Sequence, residues 1–159
     1  RRRHTRYISV TGVQTCALPI LPRLWAEHLR PGHRVLDGET VDIDGLRFGF
    51  VGGGLRSPMR TPYELDEEEH RAKVEALGEV DVLCAHIPPA LPELCYDVVA
   101  RRFEVGSRAI LDHVRRHRPR MVVFGHVHQP LVRRARVGRT ECVNVGHFRA
   151  GRTPFALDW

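Results

Sequence analysis

The chain has 159 residues, 42% hydrophobic and 28% charged, a balance that suits one globular domain, and no run of roughly 18 apolar residues is present to span a bilayer. A formal net charge of +6 raises a nucleic-acid reading, but Arg1, Arg2, Arg3 and Arg6 all stand in the first twenty residues with no acid among them. Without that segment the charge falls by four to +2, an ordinary surface balance that argues against nucleic acid as the partner.

Residues 1–20, RRRHTRYISVTGVQTCALPI, have a basic start and no amphipathic period. Residues 10–20 resemble a translated sequencing-library adapter, with Tyr7, Ile8 and Ser9 where a sample index would stand, so the segment is expected to be non-native. A signal peptide is the competing reading, but the apolar stretch is short, proline-broken and without a convincing small-residue cleavage site. Residues 21–159 are then expected to hold a partial domain. Excluding the first segment removes Cys16, and Cys84, Cys95 and Cys142 are too scattered for a disulfide framework, which points to a reducing, cytoplasmic setting.

Residues 35–50 alternate β-like runs with turn signals, RVLDGE, TVDID, Gly45 and LRFGF, and predict a hairpin or meander. The GGG of residues 52–54 lacks the GK[ST] of a P-loop and the second half of a dinucleotide fingerprint, and predicts a tight strand-end loop. Residues 66–77 place acids in a first turn and Ala72, Val74, Ala76 and Leu77 later, ahead of Gly78, as a helix with a glycine stop would. Residues 80–84 are an apolar run of strand length that the prolines of AHIPP stop, so a strand delivers His86 to a loop. Ser107 can cap a helix running to about His117, with Ile110, Leu111 and Val114 on one face and Arg115 and Arg116 outward. On that helix His113 and His117 stand four residues apart without the glutamate of a zinc-protease motif, and are expected on a solvated face. Pro119 ends the helix, and MVVF, residues 121–124, is a second buried-strand run that opens into GHVHQP. LVRRARV, TECVNV and TPFALDW predict further strands separated by glycines, giving α/β architecture with a more antiparallel end.

In an open α/β sheet, functional groups gather beyond the carboxyl ends of the strands, and His86 follows one predicted strand while His126 and His128 follow another. Imidazole is a common ligand for Zn, Mn, Fe and Ni, and two histidines one residue apart can both face a bimetallic centre from an extended turn. Packed or surface histidines are the plainer alternative, since a lone histidine is a poor metal signal and the chain has ten. Cys84 and Cys95 are too far apart for a zinc-finger pair, and Cys84, in an apolar strand end, is expected to be a buried free thiol.

AHIPPA resembles the H-x-P-P type motif, and FGHVH the G-H-x-H motif, of calcineurin-like metallophosphoesterases, in that family's order and spacing. The intervening FEVGSRAILDHVRRHRPRMVVFGHVHQP is similar to its helix-then-strand approach to the last metal motif, and the resemblance covers roughly residues 80–159. It implies an incomplete metallophosphoesterase-type β-sandwich flanked by helices, the C-terminal part of an αββα architecture. It also implies phosphoric-ester hydrolysis, of monoesters or diesters, by a hydroxide bridging two divalent or trivalent metals of the Mn, Fe, Zn or Ni class. The substrate so implied is a phosphate-ester small molecule or a nucleotide-like compound, with His86 and His126 ligating one metal and His128 the other.

The family's D-x-H, G-D-x-x-D and G-N-H-D/E motifs are absent, so the chain is expected to be a truncated piece with no catalytic residue retained, binding metal weakly and hydrolysing little. The closing N-P-G-S turn of the family is altered to Asn144, Val145, Gly146 and His147, where His147 is expected to serve the turn. Two other classes compete. One is a non-catalytic interaction module that keeps the sheet and loses the metals. The other is a basic nucleic-acid-binding protein, resting on RRHRPR and VRRARVGR. A chain trimmed of residues 1–20 is expected to show no salt-sensitive binding of DNA or RNA in a filter assay at low and physiological salt; retained binding there would favour the basic-protein reading.

Overall fold

The structure, a computed structural model, describes residues 36–57 and 64–146. The adapter-like segment, TPFALDW and His147 lie outside the described residues. A turn at Asp44 and Gly45, with φ of 51° and 79°, folds β1 (Glu39–Ile43) back on β2 (Leu46–Val51), placing Ile43 opposite Leu46. Asp-Gly is the pair that tolerates two successive positive φ values in a two-residue hairpin. The glycine loop after β2 enters β3 (Gly54–Leu55), which pairs with β4 (Glu64–Leu65).

Helix α1 (Glu67–Ala76) starts on a capping box: Asp66 Oδ1 accepts the Glu69 N–H at 2.8 Å, and Glu69 Oε2 accepts the Asp66 N–H at 3.1 Å. Gly78, at φ 61°, turns the chain into β5 (Val82–Ala85). A short helix α2 (Pro92–Cys95), then the hairpin β6 (Tyr96–Asp97) and β7 (Arg102–Phe103), follow; none of these three is foreseen by the sequence pattern. Ser107 Oγ accepts the Ile110 N–H at 3.0 Å and caps α3 (Arg108–His117), which ends at Arg118 in the left-handed region. The chain closes with β8 (Met121–Phe124), β9 (Arg134–Val137) and β10 (Thr140–Asn144).

The strands form a six-stranded sheet in the order β1-β2-β5-β8-β10-β9, with two two-stranded ribbons beside it. Its four central strands are parallel and its two edges antiparallel, which makes the described fold mixed α/β with a mostly parallel sheet and flanking helices. Right-handed crossovers taken in this sequential order put successive helices on one face. Accordingly Val74 of α1, Leu77 at its C-cap, and Ile110 and Val114 of α3 share one cluster with Leu83, Ala85, Val122 and Phe124. The alternate residues Val82, Cys84 and Val123 face the other side with Leu46 and Phe48, as the two-residue period of a strand dictates. Cys84, Cys95 and Cys142 are buried free thiols, and burial pushes Cys84 up to about 12. No helix among the described residues is long and apolar enough to cross a membrane.

One expectation fails on α3. Arg115 and Arg116 are exposed, but His113 is 4% exposed rather than solvated. At 3.6 residues per turn, position 113 borders the stripe defined by Ile110 and Val114, and that stripe is wide enough to take the imidazole in. His70 on α1 is likewise buried, its Nδ1 3.4 Å from Ser107 Oγ, and neither His70 nor His113 finds a partner for Nε2.

Burial pushes both rings down to about 4, helped by Lys73 and opposed by Asp37 at His70, and helped by His117 and Arg116 at His113. Unfolding returns each to its ordinary value, so the unfolded chain binds more protons between about pH 4 and 6.5. The stability these neutral rings confer is therefore complete above pH 6.5 and lost as the pH falls toward 4, by up to roughly 3 kcal/mol per ring. Urea unfolding at pH 7.5 and 4.5 should show this drop, and His113→Leu should make it shallower.

Candidate metal centre

Parallel pairing sets the position of the histidines. Val82 lies level with Met121, Leu83 with Val122 and Cys84 with Val123, so continuing the register brings His86 level with Gly125. The Gly125 N–H donates to His86 O at 3.2 Å, and the His86 N–H donates to Val51 O at 3.0 Å. His86 and His126 therefore leave neighbouring strands at the same carboxyl edge, one residue out of step.

At that edge the chain turns sharply around His126, which has φ 66°. The Val127 N–H donates to Gly125 O at 2.8 Å across it, and a positive central φ makes this the rarer, strained form of γ-turn. A non-glycine residue there carries strain on the order of 1–3 kcal/mol, a kind of strain that clusters at functional sites. The His126 ring lies 5.1 Å from that of His86, centroid to centroid, with the planes at 72°. His126 Nε2 is buried without a hydrogen-bond partner. Burial lowers His126 to about 4; His86 pushes the same way, Glu104 opposes and His128 adds a smaller push.

A metal–nitrogen bond near 2.1 Å makes the centroids of two imidazoles on one tetrahedral ion stand roughly 5 Å apart. The His86–His126 separation is of that size, and it is equally that of an edge-to-face ring contact. His128 does not join them: it is exposed, further along the same loop. Among the described residues no three His, Cys, Asp or Glu side chains converge as a cation site. The structure thus brings together two of the three sequence candidates and sets the third apart.

Two supports around the pair carry no sequence signal of their own. Asp97, 6% exposed, accepts the Val99 and Ala100 N–H groups on Oδ1, both at 2.9 Å, and the Gln129 N–H on Oδ2 at 3.1 Å. It fastens the β6–β7 hairpin to the residue after His128. Burial alone would raise the Asp97 carboxyl, but these backbone donors and the nearby His128 outweigh it, and its pKa sits below the usual value. On the other side, the Ser107 N–H donates to Pro88 O at 2.8 Å and the Ala90 N–H to Ser107 O at 3.0 Å, which pins the segment after His86. Gly106 allows this approach: a Cβ there would stand 2.5 Å from Cys95 Sγ and 3.0 Å from Ala90 Cα.

A groove of about 640 Å3 lies at the opposite end of the sheet, lined by Arg47, Asp81, His117, Arg118, Arg120 and Arg139 among others. It gathers parts of both basic motifs, yet Asp81 takes the Arg47 N–H at 3.0 Å and Arg120 Nε at 3.4 Å, which offsets part of the positive field. The groove adjoins the starts of the central strands and is separate from the histidines.

One solved structure matches with a TM-score of 0.59 and 22% identity, covering 80% of this chain and 51% of its own. TT1561 of Thermus thermophilus matches with a TM-score of 0.50 and 16% identity, covering 85% of this chain and 63% of its own. The likeness is one of fold. The chain spans from about half to just under two thirds of the length of these structures. No family model and no curated protein matches it.

The close approach at Gly106 yields a test. Gly106→Ala should destabilise the protein by about 1–3 kcal/mol, because the methyl meets a buried sulfur and a backbone carbon that have little room to retreat. Urea unfolding of the variant beside the parent chain measures the loss.

Proposed function

We propose that this chain carries part of a metal-dependent phosphoric-ester hydrolase site of the calcineurin-like metallophosphoesterase type. In this reading His86 and His126 serve one ion and His128 a second. The six-stranded sheet is then one layer of that family's αββα sandwich. The observation that carries the reading is the histidine pair: two imidazoles at the spacing of shared ligands, one with an unpartnered buried nitrogen, at the carboxyl edge of neighbouring parallel strands. When bound, the ions, of the Mn, Fe, Zn or Ni class, supply Lewis-acid charge and an activated water for attack at phosphorus.

The chain's own residues supply position and protonation state. Burial favours the neutral form of His126, the form a ligand nitrogen requires, near neutral pH. The exposed large hydrophobics Val98, Val99, Phe103 and Leu131 lie on or beside the hairpin fastened to the His128 loop, and suit the organic part of a phosphate ester. Two or three imidazoles make a partial donor set, so weak metal binding and little turnover are expected of the 159-residue chain. A second reading, a non-catalytic interaction module, is favoured by the lack of a three-donor cluster among the described residues.

Calorimetric titration with Zn2+ or Mn2+ separates the two. The hydrolase reading expects binding that weakens at least about tenfold in His86→Ala and in His126→Ala, with any hydrolysis of an aryl phosphodiester falling alongside. Equal affinity in a folded His126→Ala variant would remove its role as a ligand, and no binding at all by the parent chain would favour the interaction module.

A further inference from the structure

We propose that Asn144 is the positioning residue that holds His126 in its strained turn, and so sets how that ring faces His86. Its relevance to a metal rests on the reading above, whereas its hold on the turn does not. Asn144 ends β10, level with Phe124 of β8, and is 4% exposed. Its Nδ2 donates to Val127 O at 2.9 Å and to Gly125 O at 3.4 Å, the carbonyls of the residues on either side of His126. Its Oδ1 accepts the Gly146 N–H at 2.8 Å.

This arrangement fixes the chemistry of position 144. The flipped amide would set an oxygen against two carbonyls and an NH2 against an N–H, so one orientation alone satisfies every neighbour. An aspartate would keep the acceptor for Gly146 but bring a charged oxygen up to the same carbonyls. An alanine would remove the amide donor from both carbonyls. The backbone of this segment is held independently, by the Asn144 N–H on Arg133 O and the Val145 N–H on Phe124 O, both at 2.8 Å. The amide is therefore anchored from behind and acts forward on the turn.

The geometry around His126 then rests on the γ-turn bond and on the one side chain that braces it. Gly125 O receives two donors, the Val127 N–H that closes the turn and the Asn144 amide, and Val127 O receives the second bond from that amide. The amide thereby orients the peptide before His126 through Gly125 O and the peptide after Val127 through Val127 O, while the peptide between them is tied to the same Gly125 O by the Val127 N–H; together they bracket the turn and set the exit direction of the His126 Cβ. A metal ligand oriented this way behaves as ligands held by hydrogen-bonded neighbours do: loss of such a support typically lowers metal affinity about 10–100-fold.

The test uses the 159-residue chain with Asn144→Asp and Asn144→Ala. Amide hydrogen exchange by NMR is read at Val127 and, as an internal reference, at Val122 and Val123 of β8, and Zn2+ affinity is read by calorimetry. Protection at Val127 should fall at least about tenfold while the β8 amides keep theirs, a pattern that a general loss of stability cannot produce, and Zn2+ affinity should fall about 10–100-fold. Unchanged Val127 protection in a folded variant overturns the proposal. So does a loosened turn with unchanged Zn2+ affinity, since the amide would then hold the turn without positioning a ligand. If the parent chain takes up no Zn2+, the metal reading fails by itself and the exchange data decide the hold on the turn. Should neither variant fold, the scalar coupling across the hydrogen bond from Asn144 Nδ2 to the Val127 carbonyl is sought in the parent protein: its presence supports the clamp, and its absence overturns it.

Discussion

Parallel pairing of β5 with β8 is the constraint on which the rest of the candidate site depends. Each parallel strand leaves the sheet at the same edge, and the register fixes which residues leave together. Because Cys84 pairs with Val123, His86 and Gly125 come level, and the histidine one step beyond Gly125 is within ring contact of His86. A slip of one residue would invert which side chains of β8 face α1 and α3, exchanging Val122 and Phe124 for Val123. The apolar packing on both faces therefore enforces the histidine pairing. Burial of the core and placement of the pair are consequences of the same register.

Much of this was legible in the residues. Short apolar runs followed by AHIPP and by GHVHQP mark β5 and β8, since the prolines of the first cannot continue a buried ladder and the glycine of the second opens a turn. The helix signals were equally local: acids in the first turn and a glycine stop mark α1, and Ser107 ahead of an apolar stripe caps α3 as the pattern requires. The hairpin from β1 to β2 follows from Asp44 and Gly45, and the strand-end glycine loop from residues 52–54. What failed was a matter of breadth. The apolar face of α3 reaches one residue further than the aliphatic positions show, and it takes in His113, whose neutral ring is apolar enough to be buried.

The supports of the candidate site were not legible, for a reason common to all of them. Asp97 and Asn144 act on backbone groups 32 and 17 to 19 residues away in sequence, and Gly106 acts by leaving room for Cys95 Sγ and the Ala90 backbone, 11 and 16 residues away. Such contacts leave no periodicity and no motif, because a backbone N–H or carbonyl is present at nearly every position. Asn144 could be marked as a turn residue from its setting next to Gly146, but the carbonyls it serves belong to another strand's end. The short α2 and the β6–β7 hairpin escaped for the same reason: they are held by long-range backbone bonds, Glu104 to Cys95 O and Leu131 to Tyr96 O among them, more than by their own propensity.

The strain at His126 bears on how such a site can work with few donors of its own. A residue held at positive φ persists where its surroundings over-determine it, and here those surroundings are a register, a γ-turn and a buried amide. On the proposed metal-binding reading, a pair fixed in advance would lose little freedom on binding, leaving more of each metal–nitrogen bond as affinity. His128 is the contrast, exposed on the far side of the same turn and next to Asp97, whose carboxylate is already committed to backbone donors. If both histidines of the GHVH sequence act on metals, they do so from unequal positions, one half-buried in a braced turn, the other open to solvent.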